Sequence, residues 1–395
     1  MMQEAYKSQR IFVATELFYP EEAATAHYLT QIATKLSSKY DVEVVAGSPV
    51  YIIDENKTKD LPSNVHVTRL GGKKINKNNM AKRLIRAVTL SLRMKNFIAK
   101  NSRKEDKIVM VTNPALLALV LPKWCKRHGR KLTMIVHDVF PENAVAAGIL
   151  KSSSPLYFLA KKLFDSCYRC VSKFIVCGND MREVVREKLK GSYKEIAVIQ
   201  NWGDTERIVP LEISDESRIT IQFAGNVGRV QGFERVLAII KRVENPLVHF
   251  VIRGNGAFID SMSWSVASDY QNLTVQGAYS RSEENDVLNS CDLSLVSLDD
   301  SMYGLGVPSK TYNSMAAGKP ILFLGPKNSE IYAMVKENGV GYAFDITDRD
   351  SIVSFLNGLT LESKKILRRM GMDARRCVET AYAKEKLLDL YLEKI

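Results

Sequence analysis

With 395 residues, 46% of them hydrophobic and 25% charged, the chain is long enough for about two domains and carries no compositional mark of disorder. Its most apolar stretch, VMVTNPALLALVLPKWC, is broken by Asn113, Pro114, Pro122 and Lys123, which excludes a membrane span there, and the opening MMQEAYKSQRIFVA lacks the apolar core of a signal peptide, so a cytoplasmic protein is expected. The net charge of +12 is unevenly held: residues 1–200 carry 34 Lys+Arg against 18 Asp+Glu, and the remainder 22 against 26, so the first half alone is suited to face a polyanion or an anionic membrane.

The first half alternates strand and helix. RIFVAT reads as a short apolar strand, ELFYPEEAAT as a loop, AHYLTQIATKLSSKY as an amphipathic helix, and DVEVVAGSP and VHVTRL as the next strands. A basic helix follows in NNMAKRLIRAVTLSLRMKNFIAKN. At about 100° per residue, Lys82, Arg86, Arg93 and Lys100 fall on a narrow stripe, and Ala81, Leu84, Ile85, Val88, Leu92 and Ile98 on the broad opposite side. GGKKINKNN, just upstream, adds three lysines. Two readings stand. The helix lies on an anionic membrane, each cation worth about 1 kcal/mol, with Leu90 and Phe97 near the stripe also reaching lipid; or it packs its apolar side on a sheet and leaves solvated charges outside.

KIVMVTN, KLTMIVHD and KFIVCGN are further strands, each ending in a polar or glycine turn. Strands alternating with helices predict a parallel, doubly wound sheet, with function at the carboxyl strand ends, where His137, Asp138 and Gly178 fall. Cys167, Cys170 and Cys177 make a C-x2-C-x6-C cluster, but no fourth ligand lies close in sequence, so they are read as packing residues and no metal is expected.

NWGDTERIVPLEISDESR has few apolar residues and reads as a linker. The strand pattern then restarts with ITIQFAGN, VHFVIRGNG, LTVQGA, LSLVSL and PILFLG, with helical stretches between them. The expected architecture is α/β: a Rossmann-like domain over 1–200, a second over 201–370 facing it across a cleft, and a C-terminal stretch, 371–395, whose helix packs back on the first domain.

Two turns carry chemistry. In FAGNVGRVQGFERV, a strand runs into Gly225, Asn226, Gly228 and Gly232 before a helix, a turn whose backbone amides approach phosphate, with Arg229 as a bidentate cation. The spacing is not the dinucleotide G-x-G-x-x-G. In GLGVPSKTYNSMAAGKPILFLG, the run Gly306, Val307, Pro308, Ser309 suits a helix start with unpaired amides, and Lys310 adds a point charge beside them. Two cations and two glycine turns are expected to converge on one pyrophosphate.

AGNVGRVQG, VPSKTYNSMAAGKPI, HDVFPENAVAAGIL and IQNWGDTERIVP together resemble the family 4 retaining glycosyltransferases of the two-Rossmann-domain (GT-B) type, and most resemble the bacterial O-antigen and colanic-acid N-acetyl-L-fucosamine transferases. The likeness runs in order from ELFYPEEAATAHYLTQIA to the last helix. It implies a UDP-sugar held by the second domain, an acceptor bound by the first, and no cofactor or required metal. It also implies that Asp138 and Glu142 line the acceptor side with His137 near the donor sugar, that Thr25 approaches the donor phosphate, and that Tyr279 flanks the base. The wider family carries two glutamates eight positions apart; here their places are taken by Leu305 and Asn313, and that of a second family cation by Gln231. The family's second glutamate accepts the ribose hydroxyls, and Asn313 retains an amide oxygen for that role.

The resulting expectation is a peripheral enzyme at the inner face of the plasma membrane that moves a sugar from a UDP donor to a lipid-linked saccharide of a surface polysaccharide. A nucleotide-sugar 2-epimerase of the same fold is the alternative. Nucleic acid is not an expected partner, because no reader motif or interleaved aromatic run accompanies the charge.

Overall fold

The computed structural model describes residues 9–49, 61–71, 80–212, 216–256, 258–259 and 270–395, with the side chains of 80–83 excepted. The first domain is built on β1 (Arg10–Thr15), β2 (Asp41–Ala46), β3 (Val65–Arg69), β4 (Lys107–Val111), β5 (Leu132–Val136), β6 (Lys173–Val176) and β7 (Glu195–Val198), all parallel in the order β3-β2-β1-β4-β5-β6-β7. The second is built on β8 (Ile219–Ala224), β9 (Val248–Arg253), β10 (Leu273–Gln276), β11 (Leu293–Ser297), β12 (Ile321–Gly325) and β13 (Gly341–Asp345), parallel in the order β10-β9-β8-β11-β12-β13. Central strands such as β8 and β12 are buried along their whole length, which is why they read as unbroken apolar runs. The sequence reading omitted the edge strands β7 and β13, which are only half-buried and carry a weaker apolar signal.

In each sheet the strand order reverses beside the first strand, between β1 and β4 and between β8 and β11. Ligand crevices of open parallel sheets form at such switch points, outside the carboxyl ends of the strands. Helices α1 (Ala24–Leu36), α2 (Met80–Asn101), α3 (Leu117–Arg127), α4 (Glu142–Ala146), α5 (Pro155–Tyr168) and α6 (Asn179–Leu189) belong to the first domain. The second carries α7 (Phe233–Ile240), α8 (Glu284–Asn289), α9 (Lys310–Ala316), α10 (Glu330–Asn338), α11 (Arg349–Asn357) and α12 (Ser363–Thr380). The last helix, α13 (Lys384–Lys394), returns to the first domain: Leu387, Leu388 and Tyr391 join the core under α1, and Lys107 donates to the Ile395 carbonyl at 2.6 Å. Helix α12 packs on α9 and ends only at Thr380, so the second domain runs about ten residues past 370.

The basic helix is oriented differently from either expectation. Leu90, Ser91, Met94 and Ile98 of α2 are buried, whereas Leu84, Ile85, Val88 and Leu92 are exposed, at 59, 62, 40 and 43%. The apolar arc of α2 is wider than the sheet covers, so one edge packs and the other faces outward. Phe97 packs on the core. Arg86 leaves the basic stripe: it donates to the Ser48 carbonyl at 2.8 Å and lies 3.6 Å from the Glu16 carboxylate. Arg93 and Lys100 are exposed; the side chain of Lys82 and the three lysines of the upstream loop lie outside the described residues. Helix α5, capped by Ser154 with Pro155 in its first turn, exposes Leu156, Phe158, Leu159 and Leu163. Among the described residues no helix is long and apolar enough to cross a membrane.

Candidate active site

A cavity of about 380 Å³ lies between the domains. Ala23, Ala24, His27 and Tyr28 of α1 and the turn before it form one wall, and Trp202, Asp204 and Arg207 of the segment joining the domains form the floor. The other wall is Gly225 and Asn226 after β8, Gly254 and Asn255 after β9, Tyr279, Arg281 and Glu284 around the start of α8, and Ser309, Lys310 and Asn313 of α9. A smaller cavity of about 160 Å³ shares Ala24, Tyr28 and Ser309 with it and adds Thr25, His137, Asp138, Cys177, Asn201 and Val307.

Backbone geometry builds the glycine wall. Gly225 sits at φ +122 with its N–H on the Arg253 carbonyl at 2.9 Å, so the turns after β8 and β9 run side by side. A Cβ on Gly254, at φ +149, would stand 1.9 Å from the Gly225 carbonyl oxygen; only glycine permits this approach. The pair Gly254–Asn255 was visible in the sequence as the RGNG end of a strand, but its proximity to the β8 turn depends on the strand pairing.

Lys310 opens α9 and points at the Phe223 ring, its Nζ 2.9 Å from the centroid. Open only to the cleft, it is otherwise enclosed, and burial holds its pKa well below the usual lysine value. Asn226 is exposed at the cavity rim. Gly306 places no side chain between the domains; a Cβ there would meet Asp138 Oδ1 and the His137 carbonyl at 3.7 Å. Pro308 accepts the Thr311 N–H at 3.2 Å as α9 begins.

Several expected residues are not brought to the cavities. Arg229 lies in a one-turn 3-10 helix, Arg229–Gln231, and is exposed, outside the lining of both cavities, so the two expected cations do not converge in this conformation. Gly228 precedes that turn in extended conformation, packed against the Gln231 and Asn226 side chains. Glu142 is also absent from the lining. Its carboxylate takes Lys188 Nζ at 2.7 and 2.8 Å and Lys161 Nζ at 2.6 Å. Burial pushes the Glu142 carboxyl up, but Lys188 and Lys161 outweigh it and hold the pKa below the ordinary glutamate value. The charge is therefore spent within the first domain.

His137 and Asp138 do face the smaller cavity, at the end of β5, where both backbone amides donate to Thr112 Oγ1 at 3.1 Å. Burial lowers the His137 imidazole to about 4, so it is neutral near pH 7. The Asp138 carboxyl is raised by burial, partly offset by Asn143, which donates to Oδ1 at 2.7 Å.

At the floor, Asn313 stands in a polar cluster whose other members, Asp204, Arg207, Arg281, His27 and Glu284, the sequence reading did not single out. Asn313 Oδ1 accepts the Asp204 N–H at 3.1 Å, and Asn313 Nδ2 donates to Glu284 Oε1 at 2.9 Å. Arg207 bridges Asp204 at 3.2 Å and Glu284 at 2.6 Å. Arg281 donates to His27 Nδ1 at 2.8 Å, joining the two domains. Burial raises the Asp204 carboxyl, but Arg207 and His27 bring it below the ordinary aspartate value. Tyr279 lies with the Arg253 guanidinium 5.8 Å from its ring centroid, its hydroxyl pushed up to about 12 by burial.

The two-domain fold is shared with known proteins. The family model described as Glycosyltransferase Family 4 matches residues 25–207. The probable glycosyltransferase WbjE of Pseudomonas aeruginosa is 33% identical over 344 residues, covering 84% of this chain and 85% of its own. Among solved structures, HepE of Anabaena in complex with UDP superposes with a TM-score of 0.69 at 13% identity, covering 98% of this chain and 99% of that one. The sucrose-phosphate synthase of Thermosynechococcus elongatus gives 0.73 at 13% identity, covering 98% of each. At such identities the structures speak for the fold, while the WbjE likeness speaks for descent. Both facts assign this chain to the glycosyltransferases of the GT-B fold.

Proposed function

We propose that the enzyme transfers a sugar from a UDP donor to a polyprenyl-diphosphate-linked intermediate of a bacterial capsule or O-antigen polysaccharide, with retention and without a required metal. An N-acetylated amino sugar such as N-acetyl-fucosamine is the proposed cargo. The observation that carries this reading is one cleft in which a glycine wall, a half-buried lysine and the His137–Asp138 strand end meet. HepE, whose fold this chain shares, is in complex with UDP, which supports a uridine nucleotide in the larger cavity.

In this reading the diphosphate lies against the Gly225 turn and Lys310, and the sugar reaches the smaller cavity beside His137. The neutral imidazole then orients the sugar through a hydrogen bond without adding charge. Asp138, fixed by Asn143, faces the acceptor hydroxyl. In a front-face reaction the leaving phosphate oxygen takes the acceptor's proton, so the protein's main task is to stabilise the departing diphosphate. Thr25 and Ser309, on opposite walls of the smaller cavity, are its close hydroxyl donors.

The membrane partner is read from the exposed apolar arcs of α2 and α5. Both helices follow strands of the same sheet and start at its carboxyl edge, the edge that carries the cleft. Their leucines, isoleucine and phenylalanine enter the headgroup boundary, and the first domain's excess of cations supplies the attraction to anionic lipid. The epimerase alternative gains no support from the WbjE likeness. Calorimetry tests the donor assignment: UDP is expected to bind and NAD to remain silent, with Lys310→Ala weakening UDP by about tenfold or more. Equal binding by the variant, or none by the wild type, overturns it.

A further inference from the structure

Asn313 lies one turn beyond Lys310 on α9, about 4.5 Å along the axis, and both line the larger cavity. If the cavity holds a nucleoside diphosphate, as proposed above and as this inference requires, the ribose follows the phosphates at about this spacing. Its two neighbouring hydroxyls are donors, for which an ionised carboxylate is a stronger acceptor than an amide oxygen. Asn313 is already engaged at both ends, by the Asp204 N–H and by Glu284.

Three acidic residues line this cavity: Glu22, Asp204 and Glu284. Glu22 stands on the opposite, first-domain wall. The Asp204 carboxylate is surrounded by Arg207 at 3.2 Å, His27 at 3.8 Å and Arg281 at 3.9 Å. Glu284 is different. Oε1 takes the Asn313 amide and Oε2 the Arg207 guanidinium at 2.6 Å, one donor each, which leaves acceptor capacity on both oxygens. Those two donors fix the carboxylate's orientation beside Asn313.

We infer that Glu284 is the ribose-reading residue of this enzyme: its carboxylate accepts the two ribose hydroxyls, and Asn313 and Arg207 are positioning residues that hold it. The chain thus places its carboxylate on α8, one hydrogen bond away from the asparagine of α9.

The test is calorimetric titration of the full chain with UDP and with 2′,3′-dideoxy-UDP. Wild type is expected to prefer UDP by about tenfold or more, and Glu284→Gln and Glu284→Ala to reduce that preference to about twofold, mainly by weakening UDP. Circular dichroism establishes that both variants are folded. An unchanged preference in the folded variants overturns the inference, as does an equal loss for both ligands, which marks a purely structural carboxylate. If wild type binds UDP without preferring it over the dideoxy analogue, the inference fails while the nucleotide reading stands. Failure of wild type to bind UDP at all overturns the nucleotide reading itself, and this inference with it.

Discussion

The amine of Lys310 meets an aromatic face, and burial keeps it from holding its proton as an ordinary lysine would. A diphosphate arriving beside it favours the charged form, so ligand binding raises the lysine's pKa. Between the depressed pKa of the free enzyme and the higher one of the complex, the complex holds the extra proton. Affinity for UDP therefore falls as pH rises through that window, and binding takes up to about one proton from solution. UDP titrations in buffers of different ionisation enthalpy are expected to give different apparent heats. Identical heats throughout would mean that Lys310 is charged before the ligand arrives. Lys310, Ser309 and Gly225 were legible in the sequence because glycine and proline mark turns locally. Asp204, Arg207, Arg281 and Glu284 were not. The Asn313 contacts with Glu284 and Asp204 span 29 and 109 residues, and no periodicity announces a polar side chain in an irregular segment.

Helices α4, α5 and α6 are held together by one buried ammonium. Lys188 of α6 is 1% exposed and binds Glu142 of α4 and, at 2.8 Å, Asp165 of α5. Removing it leaves two enclosed carboxylates with Lys161 as their one remaining ion-pair partner among the described residues. Lys188→Met is expected to cost about 3–5 kcal/mol in denaturant unfolding, whereas Lys161→Met, at a half-exposed site, costs much less. Similar losses for both would show that water already reaches the cluster. The same resemblance that marked HDVFPEN as functional placed Glu142 on the acceptor side, because sequence order cannot tell a carboxylate facing the cleft from one turned back onto its own domain. Periodicity likewise gave α2 its helical state and its apolar arc, but not which edge the sheet would cover. The exposed edge makes its own prediction: Leu156→Asp/Phe158→Asp/Leu159→Asp on α5 is expected to abolish sedimentation with phosphatidylglycerol-containing vesicles and leave UDP binding intact. Unchanged sedimentation sinks the membrane assignment. A wild-type dimer that the triple change dissociates would mark the face as a contact between copies instead.

At the scale of the whole molecule, the two sheets were legible from alternating apolar runs and turns, since a strand buried on both faces needs little beyond its own residues to be recognised. That the two domains face one another across a cleft was expected as well, but the contacts that hold them there were not legible, because they rest on pairings between distant segments. One of these lies where α6 and α10 meet end to end. The Asp180 carboxylate accepts the Glu330 N–H at 3.0 Å, and the Glu330 carboxylate accepts the Asn179 N–H at 2.7 Å, with Gln200 donating to its other oxygen at 3.1 Å. A Cβ on Gly178 would stand 2.8 Å from that of Glu330. Each domain thus completes the first turn of a helix belonging to the other. Parting them here would orphan two amides at once and strip the Glu330 carboxylate of its Asn179 and Gln200 donors, leaving Asp180 with the Met181 N–H. The His27–Arg281 hydrogen bond, by contrast, lies in the cavity wall itself. The molecule is built like a bound book, with its spine stitched at Asp180 and Glu330: a swing that opened the cleft about that edge would keep both helix starts paired and leave each domain's fold intact.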